Sequence, residues 1–414
     1  MGEICISGAK NAALPLMAAT LLTSENVVLT NIPELSDIET LSRLLSQLGT
    51  TIEKKQKNEI IFHAKNIKST CAPYDLVRKM RASILVLGPL VARFGKAKVS
   101  LPGGCAIGAR PVDLHLEGLK KMGAQIDLTE GYVHASAPQG LHGAHIHFPK
   151  ISVGATENIL MAACLAKGET RITNAACEPE IMDLTTCLKK MGAQIESSES
   201  GEIFIQGVAS LNGTHHHVIS DRIEAGSYAI AAGITNGDLI LTNTNLSPHD
   251  IIGNTLQRAG LAVEETTKGT RVFRKSDHIL NTQIITEPYP GFPTDLQAQI
   301  MTLLTLSTGT SNIQETIFEN RFMHVPELAR MGAKIELSGA KAKIIGVPAL
   351  KAAHVMATDL RASISLVLAG LAAKGTTVVH RVYHLDRGYE ELESKLSACG
   401  AKISRVTAKQ TVNL

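Results

Sequence analysis

Two kinds of apolar segment alternate along the chain. The first is amphipathic and stops at a glycine: a leucine stands four residues before the glycine and a β-branched residue three after it. Six copies occur, Leu45/Gly49/Ile52, Leu119/Gly123/Ile126, Leu188/Gly192/Ile195, Leu256/Gly260/Val263, Leu328/Gly332/Ile335 and Leu396/Gly400/Ile403. Each predicts a helix ended by a glycine, where a left-handed backbone carries no Cβ strain, and then a strand. Successive glycines are 74, 69, 68, 72 and 68 residues apart, so the six copies fill the chain. That period exceeds any solenoid repeat and matches a whole supersecondary unit.

The second kind of segment is Ala-rich and apolar on every side, as expected of a helix buried all round. These stretches begin near Asn11, Met80, Ser152, Ile223, Asp295 and Leu360. β-Branched runs follow them, for instance at 27–29, 98–101, 170–172 and 377–379, and then a polar loop leads to the glycine-terminated helix. One unit therefore reads helix, strand, loop, helix, strand, strand, a repeat of βαβαββ type. The glycine-terminated helices carry Lys120, Lys121, Lys189, Lys190, Glu391 and Glu393 and are expected to face water. Buried helices ringed by sheets, with the other helices outside, make an inverted α/β arrangement.

A chain of 414 residues is long for one core, and six units divide into three plus three. The division is expected at 218–221, giving one domain of residues 12–219 and a second of residues 1–11 plus 220–414. A short strand at 3–7 is expected to pair with the C-terminal half, so that the chain crosses between domains twice and forms a hinge.

Composition narrows the function. No apolar run reaches the ~18 residues of a spanning helix, and no basic segment with an apolar signal core opens the chain, so the reading is a cytoplasmic protein without a membrane partner. The seven cysteines (5, 71, 105, 164, 177, 187 and 399) follow no metal or disulfide spacing and read as reduced thiols. A net charge of +3 and the lack of Trp exclude a nucleic-acid groove with stacking platforms. His215, His216 and His217, placed in a polar turn, cannot converge on one ion, so no metal is expected.

The chemistry is sought where the repeat is broken. The loop Pro102-Gly103-Gly104-Cys105-Ala106-Ile107-Gly108-Ala109-Arg110-Pro111 carries three glycines and reads as a mobile lid. Its Cys105, close to Arg110, is either a thiol of low pKa or a small buried apolar residue; Cys164, in an Ala-rich helix, is structural. Cations also collect at the ends of the buried helices: Lys10, Arg81, Arg321, Arg361 and Arg387. Some could be structural ion pairs, Asp359 with Arg361 or Asp386 with Arg387. As a group they suggest a polyanionic ligand between the domains, bearing phosphate and carboxylate.

Several motifs in order, Gly8-Ala9-Lys10-Asn11-Ala12-Ala13, Met80-Arg81-Ala82-Ser83, the 102–111 loop, Ser152-Val153-Gly154-Ala155-Thr156, Phe292-Pro293-Thr294-Asp295, Glu319-Asn320-Arg321-Phe322 and Asp386-Arg387-Gly388-Tyr389, resemble the UDP-N-acetylglucosamine enolpyruvyl transferase family across nearly the whole chain. The resemblance implies a two-domain inside-out α/β barrel, three units per domain. It also implies transfer of enolpyruvate from phosphoenolpyruvate to the 3′-hydroxyl of UDP-N-acetylglucosamine, with release of phosphate, by a monomer without cofactor. Carried over by motif, Lys10 and Asn11 meet both substrates, and Arg110 and Arg387 hold the phosphoenolpyruvate anion with Arg361 close by. Arg81, Arg110, Pro111, Val112, Asp113, Leu114, Lys150, Ile151, Ser152, Val153, Asp295 and Ile317 bind the sugar nucleotide. Cys105 protonates C3 of phosphoenolpyruvate, forms a covalent adduct with it and is the target of fosfomycin; Asp295 takes the hydroxyl proton and Asp359 assists.

Two departures accompany the resemblance. The family carries about a dozen more residues ahead of Gly2, forming a strand of the C-terminal half, so an unpaired sheet edge is expected here or else a native start further upstream. Cys177 stands where the family often has Arg. The rival readings are a 5-enolpyruvylshikimate-3-phosphate synthase, which lacks the cysteine lid, and a non-catalytic paralogue that binds the sugar nucleotide.

Overall fold

The computed structural model describes residues 2–101, 112–198 and 201–406. All six buried stretches are helical at the expected places: Lys10–Ala19, Arg81–Val86 running into Leu87–Phe94, Val153–Ala163, Arg222–Thr235, Thr294–Leu296 running into Gln297–Leu304, and Leu360–Ala372. Every residue of Gln297–Leu304 is buried, as is every residue from Ala155 to Ala163. A helix this apolar on all sides gains stability only when other elements cover it completely. Three of these helices start on a side-chain cap: Ser152 accepts from Ala155 N, Asp221 from Ile223 N and Glu224 N, and Asp359 from Arg361 N and Ala362 N.

The amphipathic helices Ser36–Leu48, Asp113–Lys121, Pro179–Lys190, Ile251–Arg258, Val325–Arg330 and Leu392–Ala398 end at the six repeat glycines, all at positive φ between 90° and 117°. A side chain there would be strained, which is why the pattern needs glycine. Lys120, Lys121, Lys189, Lys190 and Glu391 are exposed.

Five four-stranded sheets share one order, a parallel pair continued by two antiparallel strands. In one of them Thr214–His217 lies parallel to Asn26–Thr30, which pairs antiparallel with Glu59–His63, itself antiparallel to Thr51–Gln56. In another, Gly2–Cys5 runs parallel to Asp238–Thr242, so the opening strand does pair with the C-terminal half. His354–Met356 and Val378–His380 form a parallel pair alone. Among the described residues no strand follows Gly400: residues 401–406 are irregular, with Ile403 packed on the core, and the rest of the expected hairpin lies outside the described residues.

Two compact units result, one of residues 8–101 and 112–219 and the other of residues 2–7 with 220–406, each around its own core. Residues 8–11, expected with the second half, belong to the first. Lys10 already starts the helix Lys10–Ala19, which packs on Ser36–Leu48 and Pro179–Lys190, and Ala9 N donates to Ile219 O at 2.7 Å.

The three histidines lie in a strand, not a turn, because residues 214–217 ladder onto 27–30. Alternation along the strand turns His216 inward, where Nε2 meets Asp183 Oδ1 at 2.8 Å, while His217 Nδ1 meets Thr30 Oγ1 at 3.0 Å.

Candidate active site

In the first unit, Lys10 begins the helix Lys10–Ala19, which has no side-chain cap. A cation is disfavoured at the partly positive start of a helix. Asp37, in the first turn of Ser36–Leu48, compensates: its Oδ2 lies 3.3 Å from Lys10 Nζ, and both side chains are nearly buried. Asn11 follows Lys10 on the same helix, half-buried.

Val112, Asp113 and Leu114 open the helix Asp113–Lys121, and Ser152 and Val153 open Val153–Ala163; these two helices pack on each other. The link is a residue the sequence did not single out, Asn158. Its Oδ1 accepts from Gly88 N at 2.6 Å, so its Nδ2 donates to Ile84 O and to His115 Nδ1, each at 3.0 Å. That donor leaves His115 with its proton on Nε2. Burial, helped by Arg81, pulls the imidazole down to about 4, so it is neutral at pH 7. Asn158 thereby ties the helix that Ser152 and Val153 open to the one that Val112 to Leu114 open and to the 3₁₀ helix that Arg81 begins. Lys150 is exposed and Ile151 half-buried just before it.

In the second unit, Asp295 stands in the turn Thr294–Leu296 that enters Gln297–Leu304. Its Oδ1 accepts from Arg321 at 2.8 Å and its Oδ2 from Arg361 at 2.6 Å. Burial would push this carboxyl up, but the two guanidinium groups hold it well below the usual carboxylate range. Behind it, Gln299 Nε2 donates to Asp295 O at 2.8 Å, and the Tyr389 hydroxyl lies 2.8 Å from Ser227 Oγ and 3.5 Å from Arg361. Asp359 Oδ1 is committed to capping Leu360–Ala372 through Arg361 N and Ala362 N at 2.8 and 3.1 Å. Ile317 is half-buried, its N–H donating to Glu315 at 2.8 Å, and Arg387 ends the 3₁₀ helix Val382–Arg387.

These pairings correct the sequence reading. Arg361 pairs with Asp295, not with the Asp359 two positions away, whose carboxylate is turned to backbone N–H groups; Asp386 pairs with Arg405, at 2.7 and 3.0 Å, not with Arg387. Lys10, Arg321 and Arg361 all have carboxylate partners before any ligand arrives. Cys105, Arg110 and Pro111 lie outside the described residues. The six described cysteines are free. Cys164 donates to Leu160 O, and burial pushes its thiol up to about 12; Cys177, half-buried, is also pushed up.

Asp37, His115, Asn158 and Gln299 escaped the sequence reading, and Tyr389 entered it only as part of a motif. The available signal was a polar residue inside an otherwise apolar helix, as with Asn158 and Gln299.

Comparison with known proteins agrees with this fold. Residues 1–396 match the sequence model of the EPSP synthase family, described as 3-phosphoshikimate 1-carboxyvinyltransferase. The chain belongs to this family of enolpyruvyl transferases, and within it to the UDP-N-acetylglucosamine 1-carboxyvinyltransferases. It is 58% identical over 415 residues to the UDP-N-acetylglucosamine 1-carboxyvinyltransferase of Rhodospirillum centenum, covering 98% of this chain and 96% of the relative. It is 57% identical over 413 residues to that of Paramagnetospirillum magneticum, with the same shares. Among solved structures, the enolpyruvyl transferase NikO of Streptomyces tendae superimposes with a TM-score of 0.87 at 25% identity, over 99% of this chain and 97% of that one. EPSP synthase of Acinetobacter baumannii shares the fold, with a TM-score of 0.77 at 19% identity over 98% and 97% of the two chains.

Proposed function

We propose a division of labour for the reaction of a UDP-N-acetylglucosamine 1-carboxyvinyltransferase, in which the enolpyruvyl group of phosphoenolpyruvate passes to the 3′-hydroxyl of UDP-N-acetylglucosamine and phosphate leaves. This is the first committed step of peptidoglycan synthesis. The observation that carries the reading is the full-length likeness to enzymes of that name at 57–58% identity. That far exceeds the 19% shared with an EPSP synthase of the same fold.

Arg81, residues 110–114, residues 150–153, Asp295 and Ile317 bind the sugar nucleotide. Lys10, Asn11, Arg110, Arg361 and Arg387 hold phosphoenolpyruvate. Cys105 delivers a proton to C3, which leaves C2 with oxocarbenium character; the 3′-hydroxyl oxygen bonds to C2 as Asp295 takes its proton. Loss of a proton from C3 and of phosphate from C2 then restores the enol ether.

Asp295, braced by Arg321 and Arg361, is a weak base in the resting protein. The anions of phosphoenolpyruvate compete for those guanidinium groups, and Asp295 becomes basic when they are drawn away. Asp359 assists indirectly, by capping the helix that carries Arg361. The repeated sheet order and the six glycine caps support reading each unit as three copies of one element in an inside-out α/β barrel. The protein works as a monomer in the cytoplasm, without metal or organic cofactor; light scattering on the purified chain checks the monomer.

The decisive experiment is phosphate release from phosphoenolpyruvate, with and without UDP-N-acetylglucosamine. Release that requires the sugar nucleotide is the expected result. Release with shikimate 3-phosphate instead, or tight sugar-nucleotide binding with no release, would overturn the reading.

A further inference from the structure

Both ring nitrogens of His384 are buried, and neither has a hydrogen-bond partner among the described residues. A buried polar atom without a partner destabilises the fold, and native structures keep few of them. His384 lies in the 3₁₀ helix Val382–Arg387. With three residues per turn, positions three apart eclipse, so His384 and Arg387 share one face, one turn apart. The ring is packed by Tyr383, with centroids 4.3 Å apart and planes at 39°, and Arg381 anchors Tyr383 with bonds of 3.1 and 3.0 Å to its hydroxyl. The same 3₁₀ helix packs on Leu360–Ala372, which Asp359 caps and which carries Arg361.

Burial lowers the proton affinity of the ring, Arg387 and Arg381 lower it further, and Asp359 opposes them. The imidazole is therefore neutral at pH 7 and offers one N–H donor and one acceptor. Nothing among the described residues uses either. An anion held by Arg387 would give the donor its partner.

We propose that His384 is a phosphoenolpyruvate-binding residue, donating a ring N–H to the same anion that Arg387 holds. This rests on the role of Arg387 given above. The unpaired ring is then a site left open for substrate, and its hydrogen bond forms only in the complex.

The test uses the full chain with His384→Phe and His384→Asn. Phe keeps the ring shape and removes both polar atoms, so its thermal midpoint should not fall. Its KM for phosphoenolpyruvate should rise roughly tenfold or more while the KM for the sugar nucleotide stays put, as expected for one lost hydrogen bond to a charged group. Asn keeps a donor and should recover much of the loss. A Phe variant with unchanged KM for phosphoenolpyruvate, or with both KM values raised alike, would overturn the proposal. If the Phe variant does not fold, nitrogen-15 spectra of the wild-type histidine rings decide, with the His384 signal assigned by its loss in the Asn variant. A shift of that signal on adding phosphoenolpyruvate supports the role, and no shift overturns it. Failure of sugar-nucleotide-dependent phosphate release in the wild type would instead strike the reaction assignment, so the two failures are distinguishable.

Discussion

Replacing Glu224 by Gln should remove a pH dependence of stability that the buried carboxylate imposes on the second unit. Glu224 is 1% exposed on the helix Arg222–Thr235. It accepts from Ser7 N at 2.6 Å and from Lys395 Nζ at 2.8 Å; Lys395 also donates to Ser7 Oγ at 2.7 Å, and Ser7 Oγ to Glu390 at 2.7 Å. Burial pushes the carboxyl from its ordinary 4.5 up to about 7, against the pull of Lys395 and with a smaller push from Asp221. A carboxyl raised on folding keeps its proton in the folded state after the unfolded chain has lost it. Stability is therefore full below pH 4.5 and falls as pH rises to about 7. At about 1.4 kcal/mol per pH unit the fall is about 3 kcal/mol. Gln cannot ionise. It leaves one of the two donors without an acceptor, which costs stability by the same amount at every pH.

Urea unfolding followed by circular dichroism at several pH values from 4.5 to 8 measures this. The stability difference between wild type and variant should shrink by about 3 kcal/mol across the range. A difference that stays constant with pH would show that Glu224 is ionised throughout, and the assigned effect of burial would be wrong.

Asp295→Asn should lose turnover by about two orders of magnitude or more and also weaken sugar-nucleotide binding, though by less than turnover, read by steady-state kinetics and calorimetry. Because Asp295 sits well below the ordinary carboxylate range in the free protein, kcat/KM should show no acid limb from it near neutral pH; Arg361→Met should move such a limb upward. Cys105→Ser should lose most turnover and escape alkylation by fosfomycin, followed by mass spectrometry, while still binding the sugar nucleotide. Asn158→Asp should destabilise the first unit by about 2–4 kcal/mol in urea, because a buried carboxylate cannot donate to Ile84 O and His115 Nδ1.

The fold was legible largely because its signals are local. A glycine closing a helix needs only its own φ, so all six caps could be read from spacing. The starts of the buried helices were readable because apolarity on every side has no other stable use. The strand expected after Gly400 is not seen in residues 401–406, and the hairpin partner it would need falls outside the described residues. The histidine triplet was misread because its partner, Asn26–Thr30, lies far back in the chain.

Of the site, the sequence by itself determined which charges exist and which helices carry them, since motifs and periodicity are properties of neighbouring residues. Only the tertiary structure decided which charge answers which. Asp295 joins Arg321 and Arg361, positions 26 and 66 away, although Asp359 stands beside Arg361 in sequence. The reason is geometric. A carboxylate at a helix start turns to the backbone N–H groups of its own first turn, as Asp359 does, leaving the guanidinium to whatever the fold brings within 3 Å. The chemistry of Asp295, whether idle carboxylate or base, follows from that long-range choice.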